Sequence, residues 1–470
     1  MPASYRKLLI EEDTPPNKDK HGAVTLHIDW PVSLAMGLID LIASSPLQHH
    51  ATSAQCIRFL DELLRDYPRH DLQVRFWDGQ VWGAQSPRCT LVLKHAGTLR
   101  RLCTDPSELS LGEAYIYDDV DIQGNIETVF ELADHLLTFG DTGVSDRLQL
   151  LRRFRELPNQ NDGPLPEHRG RTLAGPLHSK KRDSQAVRYH YDLPPEFFAL
   201  FLGRSMQYSS AYFHRWDEHD LEAAQERKLD YICRKLQLRQ GETLLDIGCG
   251  WGGLLTYAAR HYGVRAVGIT LSISQADAAR ERIRSAGLNQ QCRVEVCDYR
   301  DLESDQLFDK IVSVGMFEHV GENLLPDFFQ MASRRLKTGG LFLNSGVSAN
   351  ALEHRRGASF VDRYVFPDGD LVPISTALIA AEAADFEVRD VENLRAHYGL
   401  TLREWVRRLE EHAEQARRLT DDTTYRIWRL YMAGSAHRFL AGRLNSYHTL
   451  LLKGLPEDGL PLTRHGWYRD

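Results

Sequence analysis

Three short stretches carry the residue types that could do chemistry. LLDIGCGWGG places Asp246, Gly248, Gly250 and Gly252 at the end of an apolar run. Glycines in such a place let the backbone approach a ligand closely, at the carboxyl end of what reads as a buried strand. A second apolar run, FDKIVSVGMFEHVG, ends on a single carboxylate, Glu318. The third stretch, VRYHYDLPPEFFALFLGRSMQYSSAYF, surrounds the polar knot Tyr208-Ser209-Ser210 with Tyr189, Tyr191, Phe197, Phe198, Phe201, Tyr212 and Phe213. Aromatics at helical spacing are commonly core, so this stretch has a packing reading beside a chemical one.

The glycine spacing discriminates between cofactors. GxGxG departs from the GxGxxG of dinucleotide-binding turns, and no acidic residue ends the next strand to hold a ribose. That strand, VRAVGITLS, ends in Thr270 and Leu271, with Gln275 a turn later. The third ends in Asp298-Tyr299-Arg300, where Tyr299 offers a face for an adenine ring. With Val314, just before MFEHVG, these residues form a candidate cofactor set that fits S-adenosylmethionine better than NAD.

The elements that must hold these residues alternate. ETLLDIGCG, VRAVGITLS, RVEVCD, FDKIVSV and GGLFLNSGVS read as strands. WGGLLTYAARHYG, SQADAARERIRSAG (capped by Ser274) and LPDFFQMASRRLK read as helices between them. The pattern predicts an α/β fold over 186–470 with a parallel, doubly wound sheet. Residues 23–156 predict a smaller α+β domain: Ala54–Leu64 is helical, LQVRFWDGQVWG turns at Asp78-Gly79, CTLVLKHAG is a strand and NIETVFELADHLLTF a helix. Residues 157–185 lack an apolar period and read as a linker carrying Arg169, Arg171, Lys180, Lys181 and Arg182. Residues 1–22 are polar and expected to be mobile.

Composition narrows the class. A chain of 470 residues is long for one core, so two or three domains are expected. A formal net charge of −8 argues against a general nucleic-acid binder. Seven scattered cysteines, with no CxxC pair, suit a reducing cytoplasm and suggest no metal site. The N-terminus does not read as a signal peptide. The longest apolar segment, residues 30–43, contains Asp40, is too short to span a bilayer and reads as an amphipathic helix.

DIGCGWGG, GITLSISQ, DYRDL and VGMFEHVG, with HYDLPPEFF and MQYSSAYF upstream and RYVFPDGDL, HYGLTLREW and IWRLYMAGSA downstream, resemble the cyclopropane-fatty-acid synthase family. The related mycolic-acid methyltransferases and makers of methyl-branched fatty acids share these motifs. The resemblance runs from about 186 to 452, and SLGEAYIYDDVDIQGN resembles the N-terminal lipid-associated segment of bacterial members. It implies a class I methyltransferase fold, S-adenosylmethionine as methyl donor, and an unsaturated fatty acyl chain, in phospholipid, as acceptor. It also implies attachment to the inner face of a membrane and permits a homodimer. Methylation of a cis double bond would give a carbocation, and proton loss from the new methyl a cyclopropane. Loss from a neighbouring carbon would give a methylene or methyl-branched chain instead. Such a cation must be shielded from water and faced by negative charge or aromatic rings.

The resemblance also implies roles. Tyr191 lies near the cation, Tyr208 and Ser209 bind the cofactor's methionine end, and Glu318 and Tyr398 are the active-site glutamate and tyrosine. His319 reads as structural. The family usually holds a bicarbonate ion between a cysteine, a glutamate, a histidine and a tyrosine. Here the cysteine position is Ser210 and the histidine position is Ser345, with Val347 in place of isoleucine. Two hydroxyls can still hydrogen-bond an anion, but neither titrates near neutrality. An alternative is therefore a lipid-binding homologue with impaired catalysis.

Overall fold

The computed structural model describes residues 52–68, 71–137, 144–159, 173–302, 306–350, 359–454 and 460–468. The expectations for residues 1–22, for the 30–43 segment and for Arg169 and Arg171 lie outside the described residues.

The N-terminal unit is built on four strands: β1 (Leu72–Arg75), β2 (Val81–Gly83), β3 (Cys89–Leu93) and β4 (Val120–Gly124), in the order β2-β1-β3-β4. The Asp78-Gly79 turn forms as its sequence predicts: Gly79 sits at φ +84° and joins the antiparallel β1–β2 pair. Helices Ser53–Leu63, Glu108–Ile116 and Glu127–Leu137 accompany this sheet.

The larger sheet has seven strands: β5 (Thr243–Ile247), β6 (Arg265–Thr270), β7 (Cys292–Val296), β8 (Phe308–Val314), β9 (Leu336–Ala349), β10 (Phe386–Asn393) and β11 (Leu444–Lys453). Their order is β10-β11-β9-β8-β5-β6-β7. The strands from β5 to β9 pair in parallel, as the strand–helix alternation predicts. The wholly parallel sheet does not hold at the other edge. β11 inserts between β10 and β9 and runs antiparallel to both. Strand direction at the end of a chain follows from which gap remains open in the sheet, and residue periodicity does not encode it.

Two local expectations change. The helix Ile273–Ser285 is capped by Ser272, whose Oγ accepts from the Gln275 N–H, rather than by Ser274. The segment read as linker up to 185 contains the start of a helix, Lys180–Tyr191. This helix is too polar to show an apolar stripe, because charge docks it. Arg182 donates to Asp368 at 2.6 and 2.8 Å, Lys180 pairs with Asp301, and Asp183 accepts from Arg300 at 2.8 Å.

One apolar cluster joins the N-terminal unit to the rest. Phe59, Val74 and Tyr115 share it with Phe197, Phe198, Phe201, Trp405, Trp428 and Met432. Across this contact, buried Arg429 on helix Asp422–Leu440 donates to the Tyr115 hydroxyl and to the carbonyls of Ile122 and Gly124, each at 3.0 Å. Carbonyl partners on β4 satisfy a guanidinium that burial would otherwise penalise.

Candidate active site

The sheet order reverses between β5 and β8, and the loops leaving the carboxyl ends of these two strands diverge there. Open α/β sheets bind ligands in this crevice. The β5 loop turns on Gly248, Gly250 and Gly252, at φ +83°, +53° and +74°. A Cβ on Gly250 would meet nothing within 4 Å, so the loop faces open space, whereas one on Gly248 would meet the Met316 side chain at 3.0 Å. The first glycine therefore packs the two loops together and the second leaves room for a ligand.

Asp246 stands at the base of that turn. It is buried near the end of β5, and burial pushes its carboxyl up while the nearby Lys228 pulls it back. Lys228, on helix Leu221–Lys235, is also buried, and burial lowers its ammonium pKa. Its Nζ donates to Gln207 Oε1 at 2.7 Å and to Ser209 Oγ at 3.0 Å. One turn earlier on this helix, Gln225 donates to the Ser209 carbonyl at 3.1 Å. Helix Leu221–Lys235 thus holds the polar knot from beneath. The sequence reading missed both residues, although Gln225 and Lys228 share one helix face in an otherwise amphipathic pattern.

At the end of β6, the Thr270 hydroxyl donates to Gln275 Oε1 at 2.8 Å, leaving the Gln275 amide N–H groups to donate elsewhere. Leu271 follows directly. After β7, Asp298 accepts from Arg300 at 2.6 and 2.8 Å, and Arg300 also holds Asp183 and the His178 carbonyl. Arg300 therefore clamps helix Lys180–Tyr191 to the end of β7. Tyr299 packs edge-on against Phe328 at 5.4 Å, with its hydroxyl buried and unpartnered.

The aromatic stretch divides into core and site. Phe197, Phe198 and Phe201 are fully buried on helix Pro195–Leu202, so for them the packing reading holds. Tyr191 and Tyr208 instead meet edge to face at 6.1 Å, and the Tyr208 hydroxyl donates to Tyr431 at 3.4 Å. His190 stacks on Phe366 at 3.9 Å, and burial lowers its pKa to about 3. Burial likewise takes His319 to about 4, so both imidazoles are neutral at ordinary pH.

Glu318 sits on the short 3-10 turn Phe317–His319 after β8. Its Oε1 accepts from the Val347 N–H at 2.6 Å, while Oε2 is buried without a partner. Burial raises this carboxyl to about 7. Burial and the Glu318 charge together raise the hydroxyl pKa values of Tyr191, Tyr398 and Tyr431, which gathers three phenols about one carboxylate. Tyr431, on helix Asp422–Leu440, was hidden inside the IWRLYMAGSA motif as one more helical aromatic. Gly346 was also missed. A Cβ there would meet the Phe317 ring at 2.1 Å and Glu318 Oε1 at 3.0 Å, so only glycine lets Glu318 lie against β9.

Val314 ends β8 and pairs with Ser345 on β9. Ser210 and Ser345 are both buried, and the Ser210 hydroxyl donates to the Ala211 carbonyl at 3.0 Å. The crevice therefore offers a ligand an open glycine turn and three buried unpartnered groups: Trp251 Nε1, the Tyr299 hydroxyl and Glu318 Oε2. Those groups fit a cofactor with an aromatic base at one end and a reacting centre at the other.

A model of the family described as mycolic acid cyclopropane synthetase matches residues 178–449, more than half the chain. The chain belongs to that family. A further match, over residues 59–136, is to a domain of unknown function. A probable fatty acid methyltransferase of Pseudomonas putida is 39% identical over 85% of this chain and 96% of its own length. Cyclopropane-fatty-acyl-phospholipid synthase of Escherichia coli K12 is 37% identical over 64% of this chain and 78% of its own. The mycolic acid cyclopropane synthase CmaA1, solved with S-adenosylhomocysteine, is 34% identical and covers 57% of this chain and 98% of its own, with a TM-score of 0.54. This synthetase-family member is thus an S-adenosylmethionine-dependent methyltransferase with a class I fold and a smaller N-terminal unit.

Proposed function

We propose that this methyltransferase acts on a cis double bond of an unsaturated fatty acyl chain carried by a phospholipid. The observation that carries the reading is Glu318: a carboxylate with one buried, unpartnered oxygen, whose charge is felt by the phenols of Tyr191, Tyr398 and Tyr431, which pack with the aromatic core of Phe197, Phe198 and Trp428. A polar acceptor would find few partners among these tyrosine rings, whereas an acyl chain matches them.

When bound, S-adenosylmethionine supplies an electrophilic methyl group. The alkene's π pair would form the new carbon–carbon bond as the methyl's bond to sulfur breaks, its electron pair staying on the departing thioether, and the neighbouring alkene carbon would become electron-deficient. Glu318, ionised, opposes that charge, and the tyrosine rings present their negative faces to it. Burial of the site keeps water from capturing the cation. Loss of one proton from the new methyl carbon then closes a cyclopropane, one CH2 heavier than the starting chain. The hydroxyls of Ser210, Ser345 and Tyr398 can donate to an anion such as bicarbonate that would take the proton, and ionised Glu318 can accept from that anion's own O–H.

A second product is favoured by a specific observation. Relatives matching over 84–85% of this chain are named as fatty acid methyltransferases, including the tuberculostearic acid methyltransferase of Mycobacterium tuberculosis at 30% identity. Proton loss from an adjacent chain carbon gives a methyl-branched, unsaturated chain from the same cation, and a 1,2-hydride shift followed by proton loss from the new methyl gives a methylene branch. Mass spectrometry of lipids from a host expressing the protein tests the reading. Acyl chains heavier by CH2 support it, fragmentation separates ring from branch, and an unchanged lipid profile rejects it.

Attachment to the inner face of a membrane, from the cytoplasm, belongs to the same reading, because the acyl substrate resides in a bilayer. Among the described residues no helix is long and apolar enough to cross a membrane. On the first turn of helix Lys180–Tyr191, Lys180 and Lys181 are both exposed, and Lys180 and Arg182 pair with Asp301 and Asp368.

A further inference from the structure

Two motifs far apart in the sequence meet at one seam. SLGEAYIY, Ser110 to Tyr117, lies on helix Glu108–Ile116 of the N-terminal unit. RYVFPDGD, Arg363 to Asp370, begins on the short helix Phe360–Tyr364 of the methyltransferase part. The Tyr364 hydroxyl donates to Glu113 Oε1 at 2.7 Å, across 251 residues of sequence. That bond uses its one proton, so the Tyr117 hydroxyl, 3.0 Å away, donates to the Tyr364 oxygen. Arg363 Nε lies 3.8 Å from the same Glu113 oxygen, too far for a hydrogen bond. Next to Glu113, a Cβ on Gly112 would meet the Phe360 ring at 2.3 Å, so glycine is what admits that ring. Phe360 and Tyr364 stand one helical turn apart, and both are buried.

The seam holds a wall of the crevice. The Tyr364 carbonyl accepts from the Tyr189 hydroxyl at 3.4 Å, and the Val365 carbonyl accepts from His190 Nδ1 at 2.9 Å. Phe366, half-buried, stacks on His190 at 3.9 Å and meets Tyr431 edge-on at 5.7 Å. Asp368, held by Arg182, turns the chain at φ +63°. The Asp370 N–H then donates to the Glu318 carbonyl at 2.9 Å, and the Asp370 carboxylate accepts from the Glu322 N–H at 3.0 Å. One short segment therefore runs from the N-terminal unit to the backbone of the Glu318 turn.

Docking of the two parts does not depend on this bond. Arg429 and Arg426, on helix Asp422–Leu440, already bind the Tyr115 hydroxyl and the Tyr115 carbonyl, each at 3.0 Å. The Glu113–Tyr364 bond differs in where it ends: on the segment that carries Phe366 and meets Glu318.

We propose that Glu113 and Tyr364 are positioning residues for methyl transfer: through their hydrogen bond the N-terminal unit sets the Phe366 wall and the Glu318 turn that shield the cation. The N-terminal unit is then part of the active site's frame. The inference rests on the proposed alkene methylation for its chemical consequence, but not for the effect on residues 364–370.

The test uses the full-length protein. Tyr364→Phe keeps the ring and removes the bond, Glu113→Leu removes the acceptor, and Glu113→Gln keeps an acceptor oxygen. In hydrogen exchange without substrate, Tyr364→Phe and Glu113→Leu should speed exchange of the Phe366 and Asp370 amides by about tenfold, with β5 to β9 as in the parent. Unchanged exchange overturns the proposal whether or not any substrate is known. On vesicles of an unsaturated phospholipid, both variants should lower kcat by about tenfold, and their double variant should be no worse than either. The KM for S-adenosylmethionine should stay within about twofold, and Glu113→Gln should retain most of the rate.

A loosened wall should also admit water to the cation. Water's lone pair would bond to the electron-deficient carbon and its oxygen would lose a proton to solvent. The product is a methylated alcohol, heavier than the starting chain by CH2 and H2O together, and its share should rise in both variants. A seam that only stabilises the fold would lower the yield of active protein and leave this share unchanged. Additive losses, parental kcat in Tyr364→Phe, or an unchanged alcohol share overturn the proposal. If Glu113→Leu fails to fold, Tyr364→Phe decides. A parent protein that methylates no unsaturated lipid rejects the substrate reading, and the exchange arm then decides the seam.

Discussion

The Glu318 carboxylate accepts a 2.6 Å hydrogen bond from the Val347 N–H through one oxygen and leaves the other buried and bare. The bonded oxygen fixes the side chain's direction, and the carboxylate's charge together with burial raises the hydroxyl pKa values of Tyr191, Tyr398 and Tyr431. A carboxylate held in that way stabilises a positive centre without reorganising when the charge appears.

Glu318→Gln should therefore lower kcat by at least about 100-fold, the scale for removing a positioned electrostatic group. Ser210→Ala and Ser345→Ala should cost less, because a hydroxyl contributes a neutral hydrogen bond. Single-turnover rates with bound cofactor measure this, and a glutamine variant within tenfold of the parent would discredit the assignment.

The same residue predicts a pH profile. Burial raises the Glu318 carboxyl to about 7, so the group is a carboxylate above that pH and a neutral acid below it. Activity should fall as pH drops through about 7, and the acid limb should vanish from the residual activity of Glu318→Gln. An unperturbed limb near pH 4.5 would show that the carboxyl is not desolvated in the working enzyme.

Gly250→Val should abolish binding of S-adenosylhomocysteine measured by calorimetry. The residue sits at φ +53°, and its missing side chain faces open space, so valine would both strain the turn and fill the ligand's place. Unchanged affinity would remove the β5 loop from the cofactor site.

Buried Lys228 donates to the knot at Gln207 and Ser209 and pulls the carboxyl of buried Asp246 back toward its charged form. Lys228→Met should lower both melting temperature and cofactor affinity, because it strands a buried carboxyl and releases the knot. Adding Asp246→Asn should restore stability but not affinity. Recovery of both would reduce Lys228 to a packing role.

Arg300 bridges Asp298 and Asp183 and so ties helix Lys180–Tyr191, which carries Tyr191, to the end of β7. Arg300→Ala should accelerate amide hydrogen exchange across that helix while leaving β5 to β9 protected. Equal exchange in both proteins would mean that the Arg182–Asp368 pair suffices.

The sequence by itself determined the parallel half of the sheet, the glycine turn at Gly248 to Gly252, the hairpin at Asp78-Gly79 and the place of Glu318 just past the end of β8. Each is written in local order: an apolar run, a glycine spacing, a residue just past a strand's end. Tertiary structure decided what depends on partners distant in the chain. The first turns of helix Lys180–Tyr191, up to 185, read as linker because their docking groups, Asp301 and Asp368, lie more than a hundred residues away. Lys228, Tyr431 and Gly346 look like ordinary helix and strand residues until packing sets them against Ser209, Tyr208 and Glu318. The antiparallel entry of β11 brings His448 opposite Ser345, and no local pattern records which strand lies beside which. Period fixes which face a side chain takes, whereas the neighbour it meets there follows from the order of the assembled sheet.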